Sequence, residues 1–120
     1  MEKQLQLVTY EQAKRLKELG FDWEASFAYH SQSQRLFDKA DIKYELTHFI
    51  SAPTVALALK WFRDVKGVDN YVIPHYNPTK QYYGGYEYDN GSKMETTEMY
   101  DTHEECESAL LDELLTISEK

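Results

Sequence analysis

The sequence predicts an α+β fold in which three helices pack on a small antiparallel sheet, in the order α-β-(β)-α-β-β-β-α. Two capping boxes and a long apolar segment mark the helices, and an Asn-Gly turn between two tyrosine-rich segments marks a β-hairpin. Short strands mixed with helices favour an antiparallel sheet over a parallel one. Because 120 residues is close to the usual size of one domain, we expect a single domain over residues 1–120.

The first helix is predicted to begin at Thr9, because Thr9 and Gln12 form the capping box Thr-x-x-Gln. Its apolar spacing continues to Leu19. Gly20 follows, and glycine is favoured in the left-handed position just beyond a helix. We therefore expect the helix to end there.

Two strands are expected between the first and second helices. Residues 25–30 form a short candidate, and residues 42–48 alternate apolar with polar side chains, as a half-buried strand does. Beyond the second helix, residues 71–73 form another candidate. Pro74 and Pro78 lack a backbone donor, so this strand is expected either to lie at the edge of its sheet or to end early.

The β-hairpin is predicted from residues 81–88 and 93–100, which flank Asn90-Gly91. Asn-Gly favours a two-residue turn because both residues tolerate a positive φ. That turn sets the pairing of the strands. It places Tyr88 opposite Lys93, Tyr86 opposite Glu95 and Tyr82 opposite Met99.

The second helix is predicted to begin around Ser51, with Pro53 in its first turn, where a missing N–H costs nothing. Its wide apolar face should bury Trp61 and Phe62 against the sheet. Gly67 is expected to end the helix.

The third helix is predicted from Thr102 to Ser118, and Thr102 and Glu105 form a second capping box. The residues expected to face inward are Cys106, Ala109, Leu110, Leu111, Leu114, Leu115 and Ile117. Those expected to face solvent are Glu104, Glu105, Asp112 and Glu113.

The net charge of −8 is concentrated near the C-terminus, since residues 95–120 carry nine acidic residues and one lysine. Such a surface argues against direct binding to nucleic acid, which depends on Lys and Arg. No apolar run approaches a membrane span or a secretory signal, so no membrane contact is expected. The single Cys106 excludes an intrachain disulfide and fits the cytoplasm.

Three residues in the first turns of the third helix are candidate metal ligands: His103, Cys106 and Glu107. The segment His-Glu-Glu-Cys-Glu lacks the second histidine of a His-Glu-x-x-His zinc motif. Cys106 also lies on the apolar stripe, where a cysteine usually acts as a small hydrophobic residue. A pair of Cys106 with a distant histidine is a further alternative for nucleophilic chemistry. We therefore assign no metal, no cofactor and no catalytic residue.

The candidate interaction surface combines the tyrosines of the hairpin with the acids of the third helix. Its members are Tyr82, Tyr83, Tyr86, Tyr88, Glu104, Glu105, Asp112 and Glu113. A sheet packed on helices has one face toward the helices and one toward solvent. Alternation along the strand places Tyr83 on one face and Tyr82, Tyr86 and Tyr88 on the other, so one of these two sets should be exposed. Core or edge packing, a protein interface and a platform for a small ligand all fit tyrosines on a strand.

Three stretches of the chain resemble small proteins of unknown function encoded by phages and prophages of Bacteroides-like gut bacteria. They are residues 10–22, 51–67 and 104–111, in that order. The most specific part is Ala-Pro-Thr at 52–54 followed by Trp-Phe-Arg-Asp-Val-Lys-Gly at 61–67. The resemblance implies a phage-derived origin and action in the cytoplasm of a bacterial host. It implies no activity.

These observations favour a non-enzymatic accessory protein that acts through a protein partner or as a homodimer. One alternative is a small metal-binding protein or enzyme built on His103, Cys106 and Glu107. Another is an acidic mimic of DNA that inhibits a nucleic-acid-binding protein of the host. The mimic requires the acids of the third helix to join Glu95 and Glu98 in one continuous surface.

Overall fold

The chain divides between Thr54 and Val55 into two compact units, each with its own helices and strands. A computed structural model describes residues 6–42, 46–76, 78–88 and 91–119. Each unit contains a three-stranded antiparallel sheet. The α+β class and the three helices are therefore confirmed, but the strands form two sheets where we expected one. The single domain over residues 1–120 stays a prediction.

The first unit, residues 1–54, contains one helix and three short strands. They are α1 (Tyr10–Glu18), β1 (Phe27–His30), β2 (Leu36–Asp38) and β3 (Phe49–Ser51). β1 is the central strand of the sheet, with β2 and β3 on either side. Thus the predicted strand at residues 25–30 is confirmed, with a start two residues later than expected.

The predicted capping box begins α1. The Thr9 hydroxyl accepts a hydrogen bond from the Gln12 amide at 3.1 Å, and the Gln12 side chain accepts one from the Thr9 amide at 2.9 Å. Gly20 follows the helix with a φ of 98°, as glycine permits. α1 buries Ala13 and packs against β3. Local sequence alone fixes both ends of this helix.

The predicted strand at residues 42–48 is wrong where the structure describes it. Lys39–Asp41 and Leu46–His48 are 3₁₀ turns, and residues 43–45 lie outside the described residues. The Asp38 side chain accepts a hydrogen bond from the Ala40 amide at 2.9 Å and caps the first turn. This local side-chain bond favours a turn over the extended backbone that the alternation predicts.

The second unit, residues 55–120, contains two helices and a second sheet. Its elements are α2 (Val55–Asp64), β4 (Asp69–His75), β5 (Gln81–Tyr88), β6 (Lys93–Thr96) and α3 (His103–Ser118). The strand order is β4-β5-β6, so the proline-containing β4 is an edge strand as predicted. In the described part of the chain, no helix combines the length and hydrophobicity needed to cross a bilayer.

α2 begins at Val55, four residues later than predicted. Ser51 is instead the last residue of β3, and the Pro53 carbonyl accepts a hydrogen bond from the Val8 amide at 3.0 Å. This pairing with the N-terminal segment holds the residues before Val55 extended. Val65 lies just beyond the helix and is exposed, so it is not part of the buried face of α2.

The hairpin register is confirmed near the turn and wrong farther from it. Tyr88 pairs with Lys93 and Tyr86 with Glu95, as predicted. Tyr82, however, pairs with Tyr100 and not with Met99, so the second strand contains one extra residue. Gly91 has a φ of 82°, as the turn requires, while Asn90 lies outside the described residues.

Thr97 marks the position where the hairpin register shifts. Its hydroxyl accepts a hydrogen bond from the Gly84 amide at 2.8 Å and donates one to the Glu98 carbonyl, also at 2.8 Å. The side chain takes the place of a backbone acceptor. The hydrogen-bonding capacity of the buried Gly84 amide is therefore satisfied despite the interrupted ladder.

Substitutions in α2 test which face of this helix is buried. Trp61 and Phe62 are 1% and 0% exposed, which confirms their predicted burial. Trp61→Ala should lower the free energy of unfolding by about 3–5 kcal/mol, because it removes a buried ring. Arg63→Ala is the control: Arg63 is exposed and makes a 3.1 Å hydrogen bond to Asn70, so its loss should cost no more than about 1 kcal/mol. Urea denaturation gives both values, and equal costs would contradict the assignment of the buried face.

Candidate interaction surface

α3 covers one face of the second sheet. The Tyr82 ring meets His103 edge to face, with centroids 5.5 Å apart. A Cβ added to Gly84 would lie 3.2 Å from the Leu110 side chain, and Tyr86 hydrogen-bonds to Glu113 at 3.1 Å. Because these β5 residues alternate along the strand, the face of the sheet that carries them is the one toward α3.

The opposite face, here named the outer face, carries Tyr71, Ile73, Tyr83 and Met94. Ile73 lies opposite Tyr83 in the register, and the Tyr71 ring lies over Gly85, its own partner in β5. Met94 is 61% exposed, and the other three side chains are half-buried. This face is apolar yet remains partly open to solvent.

The structure separates the four predicted tyrosines. Tyr86 is only 2% exposed and therefore cannot contribute to an exposed surface. Tyr82 contacts His103 on the α3 side, and Tyr88 stacks on Tyr86 with centroids 6.1 Å apart. Tyr83 alone among them lies on the outer face. The interaction surface as a whole stays a prediction: Tyr86 is buried, whereas Tyr82, Tyr83 and Tyr88 are all half-buried.

Tyr71, Ile73 and Met94 share the outer face with Tyr83 and were not among the residues predicted for the interaction surface. Met94 could have been found, since the confirmed hairpin register already places it on the face opposite Tyr86. Tyr71 and Ile73 join through the pairing of β4 with β5. The residues between those strands contain no turn motif that sets a register, so no local signal predicts this pairing.

Glu113 is half-buried and faces the sheet, which corrects its predicted position facing solvent. The Tyr86 hydroxyl lies 3.0 Å from Glu95 Oε2 and 3.1 Å from Glu113 Oε1. A phenol carries one proton and can donate it fully to one carboxylate at a time. A proton on the Glu113 carboxyl group would let both contacts be hydrogen bonds.

The surroundings of Glu113 and Tyr86 favour the protonated form of each. Burial raises the pKa of Glu113, and the nearby charges of Glu95 and Glu98 raise it further, while the hydrogen bond from Tyr86 opposes the shift. Burial and the two carboxylates also raise the pKa of Tyr86, which stays protonated. An open depression of about 280 Å³ adjoins the cluster, lined by Tyr86, Glu95, Asp112, Glu113, Thr116 and Ile117.

The three metal candidates do not form a metal site. His103 Nδ1 lies 3.2 Å from Glu107 Oε1, one turn along α3. Cys106 is fully buried, and burial raises the pKa of its thiol, which makes it a poor ligand and nucleophile. Within the described residues, no three His, Cys, Asp or Glu side chains are grouped so that they could hold a metal ion.

The acidic residues of α3 lie on different sides of the helix. Glu104 and Glu113 are nine positions apart, which corresponds to a rotation of about 180° around a helix. Glu113 faces Tyr86 and the sheet, while Glu104, Glu105 and Asp112 are exposed. Asp112 and Glu113 line one depression with Glu95, whereas Glu104 lies on the opposite side of the helix from Glu113, so the four acids of α3 do not all join Glu95 in one continuous surface.

Comparison of the chain with protein-family models, with curated proteins and with solved structures finds no match in any of the three. The resemblance to proteins of phages and prophages stays a prediction.

Gly85 offers a test of the outer face. A Cβ at this position would lie 2.4 Å from Tyr71 Cε2, so Gly85→Ala should displace the ring and cost roughly 1–3 kcal/mol of stability. In a Tyr71→Ala background the clash is absent, and the same substitution should cost much less. A double-mutant cycle by urea denaturation measures this coupling. An equal cost in both backgrounds would show that the ring does not lie over Gly85.

Glu113 should make stability depend on pH. Its folded pKa is raised above the ordinary value of 4.5, so folding favours the protonated carboxyl. That contribution is complete below about pH 4.5 and is lost as the pH rises through the folded pKa. Glu113→Gln stays neutral at every pH. Its melting temperature should therefore rise relative to that of the wild type between pH 4.5 and pH 8.

Glu104→Gln is the matched control for Glu113→Gln, because it removes one exposed carboxylate from the same helix. It should keep the pH dependence of the wild type. If the melting temperatures of wild type and Glu113→Gln change with pH by the same amount, protonation of Glu113 in the folded state is contradicted.

Proposed function

We propose that this chain is a non-enzymatic accessory protein of phage or prophage type, which acts inside a bacterial host by binding another protein through the outer face. The observation that carries the proposal is the one-sided cover of the second sheet. α3 packs over Tyr82, Gly84 and Tyr86, whereas Met94 on the other face is largely exposed. Exposed apolar patches on a folded domain commonly mark an interface.

The chemistry of the outer face supports binding to a protein. Tyrosine and methionine are enriched in protein interfaces, where their side chains bury a large area. Asp69 and Glu87 lie opposite each other at one end of the same face. An apolar centre of Tyr71, Ile73, Tyr83 and Met94 next to an acidic end is the arrangement of a small interface with a polar rim.

Photo-cross-linking in bacterial cells tests the proposal. A benzophenone side chain replacing Tyr83 should give covalent adducts with protein, because this residue lies in the proposed interface. The same group at Glu104, which is exposed on α3, is the control and should give far less adduct. Equal labelling from both positions, or no protein adduct from position 83, would contradict the proposed function.

A further inference from the structure

The outer edge of β6 is open to another strand. β6 is the last strand of its sheet, no described strand pairs with its other side, and all four of its residues are exposed. An edge strand carries backbone donors and acceptors that can bind an added strand.

The ladder between β5 and β6 shows which backbone groups point outward. The Thr97 amide donates to the Gly84 carbonyl at 2.8 Å, so the backbone of Thr97 faces β5. Along an antiparallel strand the backbone groups of successive residues point to opposite sides. Lys93 and Glu95 therefore also face β5, and the N–H and C=O groups of Met94 point toward the open edge.

We propose that the partner is a second copy of this chain, joined by antiparallel pairing of the two β6 strands with Met94 opposite the partner's Met94. This inference goes beyond the proposed function, because it adds a second interface at the edge of β6, apart from Tyr83 on the outer face. In this register the backbone N–H of each Met94 donates a hydrogen bond to the backbone C=O of the other Met94. Lys93 then lies opposite the partner's Glu95, and Glu95 lies opposite the partner's Lys93.

Charge selects this register over its neighbours. Any other register that still pairs outward-pointing backbone groups requires one strand to shift by two residues along the other. One such shift sets Glu95 opposite the partner's Glu95, and the other sets Lys93 opposite the partner's Lys93. Like charges directly opposite each other destabilise a pair of strands, whereas opposite charges stabilise it. The register with Met94 at the two-fold axis is therefore favoured.

The same pairing brings a positive charge to the carboxylate cluster. Lys93 and Glu95 pair with Tyr88 and Tyr86, so their side chains lie on the α3 side of the sheet. The partner's Lys93 would approach Glu95, which shares the Tyr86 hydroxyl with Glu113. The added lysine offsets the repulsion between these two carboxylates.

The two copies of α3 fit on the joined sheet without a clash. α3 lies over β5, and three strand spacings separate β5 of one copy from β5 of the other. At about 4.8 Å per spacing this is roughly 14 Å, more than the 8–10 Å between packed helices. On the other side, Met94 of the two copies joins the outer faces into one.

Met94→Pro tests the backbone pairing. Proline removes an N–H that points to the open edge, so the ladder with β5 is kept. Light scattering and analytical ultracentrifugation over a dilution series should show the wild type reaching twice its mass of 14.1 kDa. Met94→Pro should weaken this association by ~30-fold, because each copy loses one hydrogen bond, whereas the control Met94→Thr keeps the N–H. A monomeric wild type, or equal association of the proline and threonine variants, would overturn the proposal.

A charge exchange tests the register without a change at Met94. Lys93→Glu should weaken association, since acids then lie opposite acids, and Lys93→Glu with Glu95→Lys should restore it. Circular dichroism of each variant confirms that it is folded. Association unchanged by Lys93→Glu would overturn this register. Adducts from position 83 that contain only other proteins, together with a monomeric wild type, would overturn the dimer and leave the proposed function intact.

Discussion

The contact between Gly84 and Leu110 determines which side of the second sheet is covered. Any side chain at Gly84 would come within 3.2 Å of the Leu110 side chain, so glycine lets α3 lie close to β5. Leu110, Leu111, Leu114 and Leu115 are all fully buried. Once α3 lies there, Tyr86 is buried beneath it and Tyr83 is left on the other face.

The second glycine of the pair does the same for the outer face. At Gly85 the ring of Tyr71 crosses β5 at a distance that no Cβ would permit. The Gly-Gly pair in a tyrosine-rich strand is therefore explained by close approach from both sides, one residue to each face. The outer face gains a flat aromatic surface because β5 has no side chain at this position.

Elements specified by short-range interactions were predictable from the sequence, and those specified by distant partners were not. The capping box of Thr9 and the hairpin register at Tyr88 depend on neighbouring residues alone. The late start of α2 depends on a bond from Val8, and the inward position of Glu113 depends on Tyr86, which is 27 residues away. Helical spacing alone predicts that a glutamate among leucines faces solvent. Only its partner in the sheet shows that Glu113 faces inward.

Glu95 connects the carboxylate cluster to the open edge of the sheet. Protonation of Glu113 relieves the repulsion between the two carboxylates within one copy. In the proposed dimer the partner's Lys93 provides the same relief with a positive charge, which favours the ionised form. The two effects are thermodynamically linked, because a partner that lowers the pKa of Glu113 must bind more tightly to the deprotonated protein. Proton uptake and strand pairing thus become competing ways to stabilise one buried tyrosine between two acids.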